Sequence, residues 1–194
     1  MKKRQLMLLS LSTVMHNSGK MIDPLTEKNQ MISYLSDEFE EFPQGGFLNH
    51  LYRFSVDHHH FIVIFSPIDI SDAEYHQYRS EEVGFDVPTN CFDVKFDRQE
   101  NFDSGNFYTP PAPAECSRRR RFTDELAEAL ETIIEKHYII YRARAYLATA
   151  ESDKLKRYYD RILQDVPANI VYRVIKDAGE EERGYAIQTK CFRT

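Results

Sequence analysis

The sequence predicts an α+β fold: a twisted mixed or antiparallel sheet flanked by two or more helices, in three layers at most. Three observations carry this. From Ser117 to Thr194 the chain reads helix, strand, helix, strand, strand, with a cap or turn at nearly every junction. Just upstream, Phe92, Val94 and Phe96 alternate with Asp93, Lys95 and Asp97, the period-two pattern of a half-buried strand. Earlier still, two strand-like runs flank Asp57-His58-His59, which reads as a hairpin loop.

The chain has 194 residues, enough for one domain with an appendage. At 42% hydrophobic it can bury a core without covalent staples. The net charge of −6 argues against a general nucleic-acid binder, which usually carries a basic excess. The three cysteines, Cys91, Cys116 and Cys191, are widely spaced and form no C-x-x-C pair. They predict free thiols in a reducing cytoplasm.

Lys2, Lys3 and Arg4 precede a short apolar run at residues 6–15. This looks like a secretory signal, but the run is polar-interrupted and no A-x-A-like cleavage site follows it. It is also shorter than the ~20 apolar residues of a membrane span. The expectation is an ordered segment packed on the domain, with the protein cytoplasmic and not membrane-bound. Residues 1–48 thus read as an appendage and residues 49–194 as the α+β domain. Within the appendage, Met31, Ile32, Leu35, Phe39 and Phe42 recur at helical spacing, predicting an amphipathic helix over 25–42 that Pro43 stops.

Tyr52, Phe54 and Val56 alternate along one strand, and residues 61–65 form a continuous apolar second strand. Residues 69–90 are polar and irregular, with a short helix expected near 72–79. After the strand at 92–96, residues 98–116 carry Gly105, Pro110, Pro111 and Pro113 and predict a long loop of the kind reserved for function. Thr123 reads as an N-cap with Asp124 and Glu125 in the first turn, where the helix dipole favours them. Leu126, Leu130, Ile133, Ile134 and His137 make the apolar face of that helix. A strand is expected over 140–149. Ser152 caps a second helix with the stripe Leu155, Tyr158, Tyr159, Ile162 and Leu163. Strands over 169–176 and 184–191 close the chain through a charged turn.

Strand, helix, strand, helix, strand, strand is also the order found in the GNAT superfamily of acyl-CoA-dependent N-acyltransferases. The chain resembles that superfamily over roughly residues 50–194. The nearest sequence likeness is the helix Ser152–Ile162. GNAT proteins often carry an Asn there, an Ala three residues on and a Tyr seven residues on; here Ser152, Leu155 and Tyr159 hold those places. It also looks like bacterial and phage domains of unknown activity that keep this helix. The resemblance implies a general-acid role for Tyr159 and a CoA pyrophosphate site at the N-terminus of the preceding helix. In that site Arg118 would hold the first motif position, while Arg121 and Thr123 stand where small residues let backbone N–H groups reach the phosphates. The residues that would bind the cofactor are therefore Arg118, Arg121 and Thr123, with the backbone cradle degenerate.

Other chemistry finds few parts. There is no G-x-S-x-G, no phosphate-binding loop and no dinucleotide fingerprint. His58-His59-His60 invites a metal, yet neighbours in a strand point to opposite faces, so the sequence assigns no metal ligands. The run Arg118–Arg121 beside a helix N-terminus can attract an anion through its side chains. The functional expectation is a non-catalytic, inhibitor-type binding protein of bacterial or phage origin. It would engage a protein partner or a small anionic ligand and would not bind nucleic acid. The alternative is an atypical N-acyltransferase using acetyl-CoA, with Tyr159 as general acid.

Overall fold

The computed structural model describes residues 32–34, 38–164, 166, 168–179 and 181–193. The apolar run at 6–15 lies outside them.

Among the described residues, eight strands form one mixed sheet. β1 (Ile32–Tyr34) and β2 (Glu40–Gln44) both pair with β3 (Phe47–Val56), one after the other along the same edge. β3 turns tightly into β4 (His59–Pro67), as the hairpin pattern predicts. Beyond β4 the order runs β5 (Cys91–Arg98), β6 (Ala145–Thr149), β8 (Gly184–Thr189) and β7 (Val171–Ala178). Among the described strands only the β5–β6 pair is parallel.

Four α-helices cover the sheet among the described residues: α1 (Ala73–Val83), α2 (Gln99–Ser104), α3 (Phe122–Tyr141) and α4 (Asp153–Ile162). Alternation along the strands sorts them onto two faces. Phe92 and Tyr146 point into the core under α3, while Cys91, Ala145 and Leu147 point into a second core with Val83 of α1. Tyr185 meets Tyr159 of α4. The result is the α+β class the sequence predicts. No described helix is long and apolar enough to cross a membrane.

Several boundaries differ from the sequence pattern. No helix forms at 32–34 or 40–44. The open edge of β3 offers backbone partners there, and Pro43 is tolerated because β2 lies on a sheet edge. Phe39 still reaches the core, packing against Tyr52, Phe65 and His137 at ring separations of 5.0, 5.8 and 5.2 Å. The long loop begins with a helix, α2. Helix α3 starts before Thr123: Arg121 occupies the cap position with no side-chain bond, and Thr123 falls inside the first turn. The same helix runs on to Tyr141, so the strand expected over 140–149 starts only at Ala145. Arg142, at φ 55°, ends the helix in the left-handed conformation.

Other local signals hold. Ser152 accepts a hydrogen bond from the Leu155 N–H at 3.2 Å and so caps α4. Asp72 does the same for α1 through the Tyr75 N–H at 3.0 Å. Gly184 is required by close packing: a Cβ there would lie 2.9 Å from the backbone oxygens of both Ala178 and Glu82. Buried Arg79 ties α1 to the sheet through Glu82 and Asp93, and Thr149 Oγ1 donates to Glu82 at 2.8 Å. Burial pushes the Asp93 carboxyl above its ordinary range despite Arg79 beside it.

Candidate functional site

Strand β5 is joined to β6 by three residue pairs only, Cys91↔Ala145, Phe92↔Tyr146 and Asp93↔Leu147. Past Asp93 the strands part. β6 stays with β8 along its whole length, from Ala145↔Gln188 to Thr149↔Gly184. The sheet therefore splays, and a cleft opens between Val94 and Phe96 on one side and Ala148 and Ile187 on the other. Its cavity measures about 70 Å³. That suits a few heavy atoms, against roughly 300 Å³ or more for a pocket holding a drug-sized ligand.

Tyr159 of α4 lines this cleft, as do Tyr146 and Tyr185. Tyr159 and Tyr185 meet edge to face at 5.3 Å. Burial is the main cause raising the Tyr159 phenol above its ordinary range, with Tyr108 and Glu151 adding to it. Its proton stays on at neutral pH. Among the residues lining the cleft there is no carboxylate, imidazole, thiol or amine. Chemically it is an apolar slot with phenols as its polar groups.

The long loop is held beside this site by Asp97. Its carboxylate accepts hydrogen bonds from the Asn101 side chain at 2.7 Å and from the Tyr108 N–H at 2.6 Å. Asn101, itself buried, also donates to the Thr109 carbonyl at 3.0 Å. Tyr108 sits at φ 58°, a conformation non-glycine residues adopt at a cost. Burial, with Glu151, Asp97 and Asp93 nearby, pushes its phenol up to about 12.

The N-terminus of α3 has its own charge arrangement. Glu125 is 7% exposed and accepts a hydrogen bond from Arg119 at 2.7 Å. Arg119 also lies 3.9 Å from Asp57. A carboxylate in the first turn complements the helix dipole. Of the four arginines, Arg119 alone turns inward; Arg118, Arg120 and Arg121 are exposed, and Arg121 pairs with Glu128 at 3.7 Å. Tyr159 thus lines the cleft, whereas Arg118, Arg121 and Thr123 are not among its lining residues. Glu125 was readable only as a first-turn acid; its pairing with Arg119 depends on the turn that precedes the helix.

Behind the cleft runs a buried hydrogen-bonded chain. His50 Nδ1 lies 2.8 Å from His137 Nε2, and His137 Nδ1 lies 2.9 Å from the Tyr146 hydroxyl. His137 is fully buried and stacks on Phe65 at 3.9 Å. Burial pushes its imidazole down to about 2, with His50 contributing. Burial also lowers His50, with Glu41 acting the other way. Both rings are therefore neutral, and each offers one donor and one acceptor. The chain has two consistent directions: Tyr146 donates to His137, which donates to His50, or the reverse. The helical stripe placed His137 on the apolar face; nothing in the sequence pointed to His50 as its partner.

Fold and site define an α+β protein with a splayed mixed sheet and a small apolar cleft at the splay. No family model matches the chain, and no similar curated protein or solved structure was found.

Proposed function

We propose that this protein is a non-catalytic binding protein on an N-acyltransferase-like scaffold, engaging an acidic protein surface or a small anion through its exposed arginines. The element order and the opening between β5 and β6 support the scaffold, because GNAT enzymes part their sheet there to admit the cofactor. The observation that carries the loss of chemistry is Glu125. Its buried carboxylate, paired with Arg119, occupies the first turn of α3, where a CoA pyrophosphate needs bare backbone N–H groups. Arg121 and Thr123 add side chains at the positions that such a cradle keeps small. The residues present do not fit the cofactor. Exposed Arg118 and Arg120, with Arg121 beside its surface partner Glu128, face solvent where a partner with carboxylates or phosphates can reach them.

A second reading, an atypical acyl-CoA-dependent N-acyltransferase, is favoured by one observation. Tyr159, at the place of the general-acid tyrosine, lines the cleft with its phenol protonated. Isothermal titration with acetyl-CoA separates the two. The binding-protein reading expects no measurable heat. Tight binding, weakened by Arg118→Ala and Arg121→Ala, would establish the second reading in its place.

A further inference from the structure

The turn between β3 and β4 breaks the alternation that argued against shared ligands at the histidine run. Asp57, at φ 59°, reverses the chain, and Val56 pairs directly with His59 across the turn. Inside a strand, neighbouring side chains diverge; at a two-residue turn they need not. One ligand atom from each of Asp57, His58 and His59 lies within 4.8 Å of the other two. His58 Nδ1 and the Asp57 carboxylate are 3.4 Å apart. Ligands about 2.0–2.2 Å from a tetrahedral zinc are separated by about 3.3–3.6 Å. Two of the three ligand atoms already stand at that spacing.

Unsatisfied polar atoms gather at the same place. Five buried side-chain polar atoms lack a hydrogen-bond partner among the described residues, and three of them are His59 Nε2, Arg119 Nη1 and Glu125 Oε2. These belong to one neighbourhood: Arg119 links Asp57 to Glu125, and the His59 ring packs on Phe122 at 5.2 Å. Arg119 Nη1 is a donor that faces Asp57 at 3.9 Å; of the three, His59 Nε2 is the unpaired atom that belongs to the Asp57, His58 and His59 cluster and can meet a cation. Within the cluster the Asp57 carboxylate supplies the negative charge beside the two imidazoles.

We propose that the β3–β4 turn is a divalent metal site of the zinc type, with Asp57, His58 and His59 as its three protein ligands. Two imidazoles and a carboxylate suit zinc or nickel and do not suit magnesium, which prefers all-oxygen octahedra. Exposed His58 leaves the outer side of the site open, so a fourth ligand comes from water or from a partner.

Titration of the full chain with zinc chloride in a non-chelating buffer tests this. The expected result is one ion per chain, with no heat from magnesium chloride. His58→Gln and Asp57→Asn should each weaken zinc binding at least about tenfold. His60→Gln, one residue along and outside the cluster, should leave it unchanged. Neither ligand variant should perturb folding, since His58 is exposed and Asn tolerates the positive φ of residue 57; circular dichroism checks this. Absence of zinc heat, retention of binding in both ligand variants, or an equal loss in His60→Gln would overturn the site. None of these outcomes depends on whether acetyl-CoA binds.

Discussion

The two edges of β5 behave differently. Toward β4 the strand is laddered over seven residue pairs, from Phe61↔Arg98 to Pro67↔Phe92. Toward β6 it is laddered over three and then released. The same backbone therefore ends in continuous sheet on one side and in an open cleft on the other. The side chains explain how both are tolerated. On the closed side, Val63 and Phe65 are fully buried and lock β4 under α3. On the open side the cleft is walled by aliphatic and aromatic groups of α3, α4 and β8, several only partly buried. A sheet can thus be parted where helices supply a lining, and a small slot is the outcome.

Truncation should separate the two edges most strongly. Phe65→Ala removes a ring that stacks on His137 and meets Phe39 and Tyr146 edge to face. It should cost about 4 kcal/mol, the usual range for a buried Phe. Ile162→Ala, at the half-buried wall of the cleft, should cost about 1–2 kcal/mol, because space already exists beside it. Urea unfolding of both variants measures the difference. Equal losses would mean that the cleft wall is as tightly determined as the closed edge.

The contrast also shows what a sequence discloses. Period-two alternation made β5 legible, and caps such as Ser152 made α4 legible, because both are local. The position of Tyr159 on a helical stripe was likewise local. The splay was not, since Val94 and Phe96 look the same whether β6 follows them or departs. The helix expected over 25–42 misled for a related reason where it is described, at 32–34 and 40–42; residues 25–31 and 35–37 lie outside the described residues. Ile32, Phe39 and Phe42 fit a helical stripe, but the vacant edge of β3, distant in the chain, decides the pairing. The Arg119–Glu125 pair and the His50–His137 contact join positions that no periodicity relates.

Acid should weaken the closed side. The His137 imidazole is held far below its ordinary value in the folded protein and returns to about 6.5 when unfolded. Between these values the unfolded state binds the extra proton. Stability is therefore full above about pH 6.5 and falls as pH drops below it. At pH 5.5 the loss from this one group should be about 1.4 kcal/mol relative to pH 7.5. His50, shifted in the same direction, adds to it. Denaturant midpoints across this range measure the effect. A stability that is flat from pH 7.5 to 5.5 would mean that His137 is not buried in neutral form.

Filling the cleft should have the smallest effect, and its sign is informative. Ala148 lines the slot from β6 at a point where that strand has already left β5. A leucine there places its added methyl groups in existing space of about 70 Å³. Cavity filling of this kind ordinarily adds about 0.5–1 kcal/mol. On the closed edge the same increase in volume would strain the packing by about 1–3 kcal/mol. Ala148→Leu should therefore raise the melting temperature slightly or leave it unchanged. A loss of about 2 kcal/mol or more would show that the walls close on themselves in solution, and that the open edge of β5 is held shut by packing where its hydrogen bonds stop.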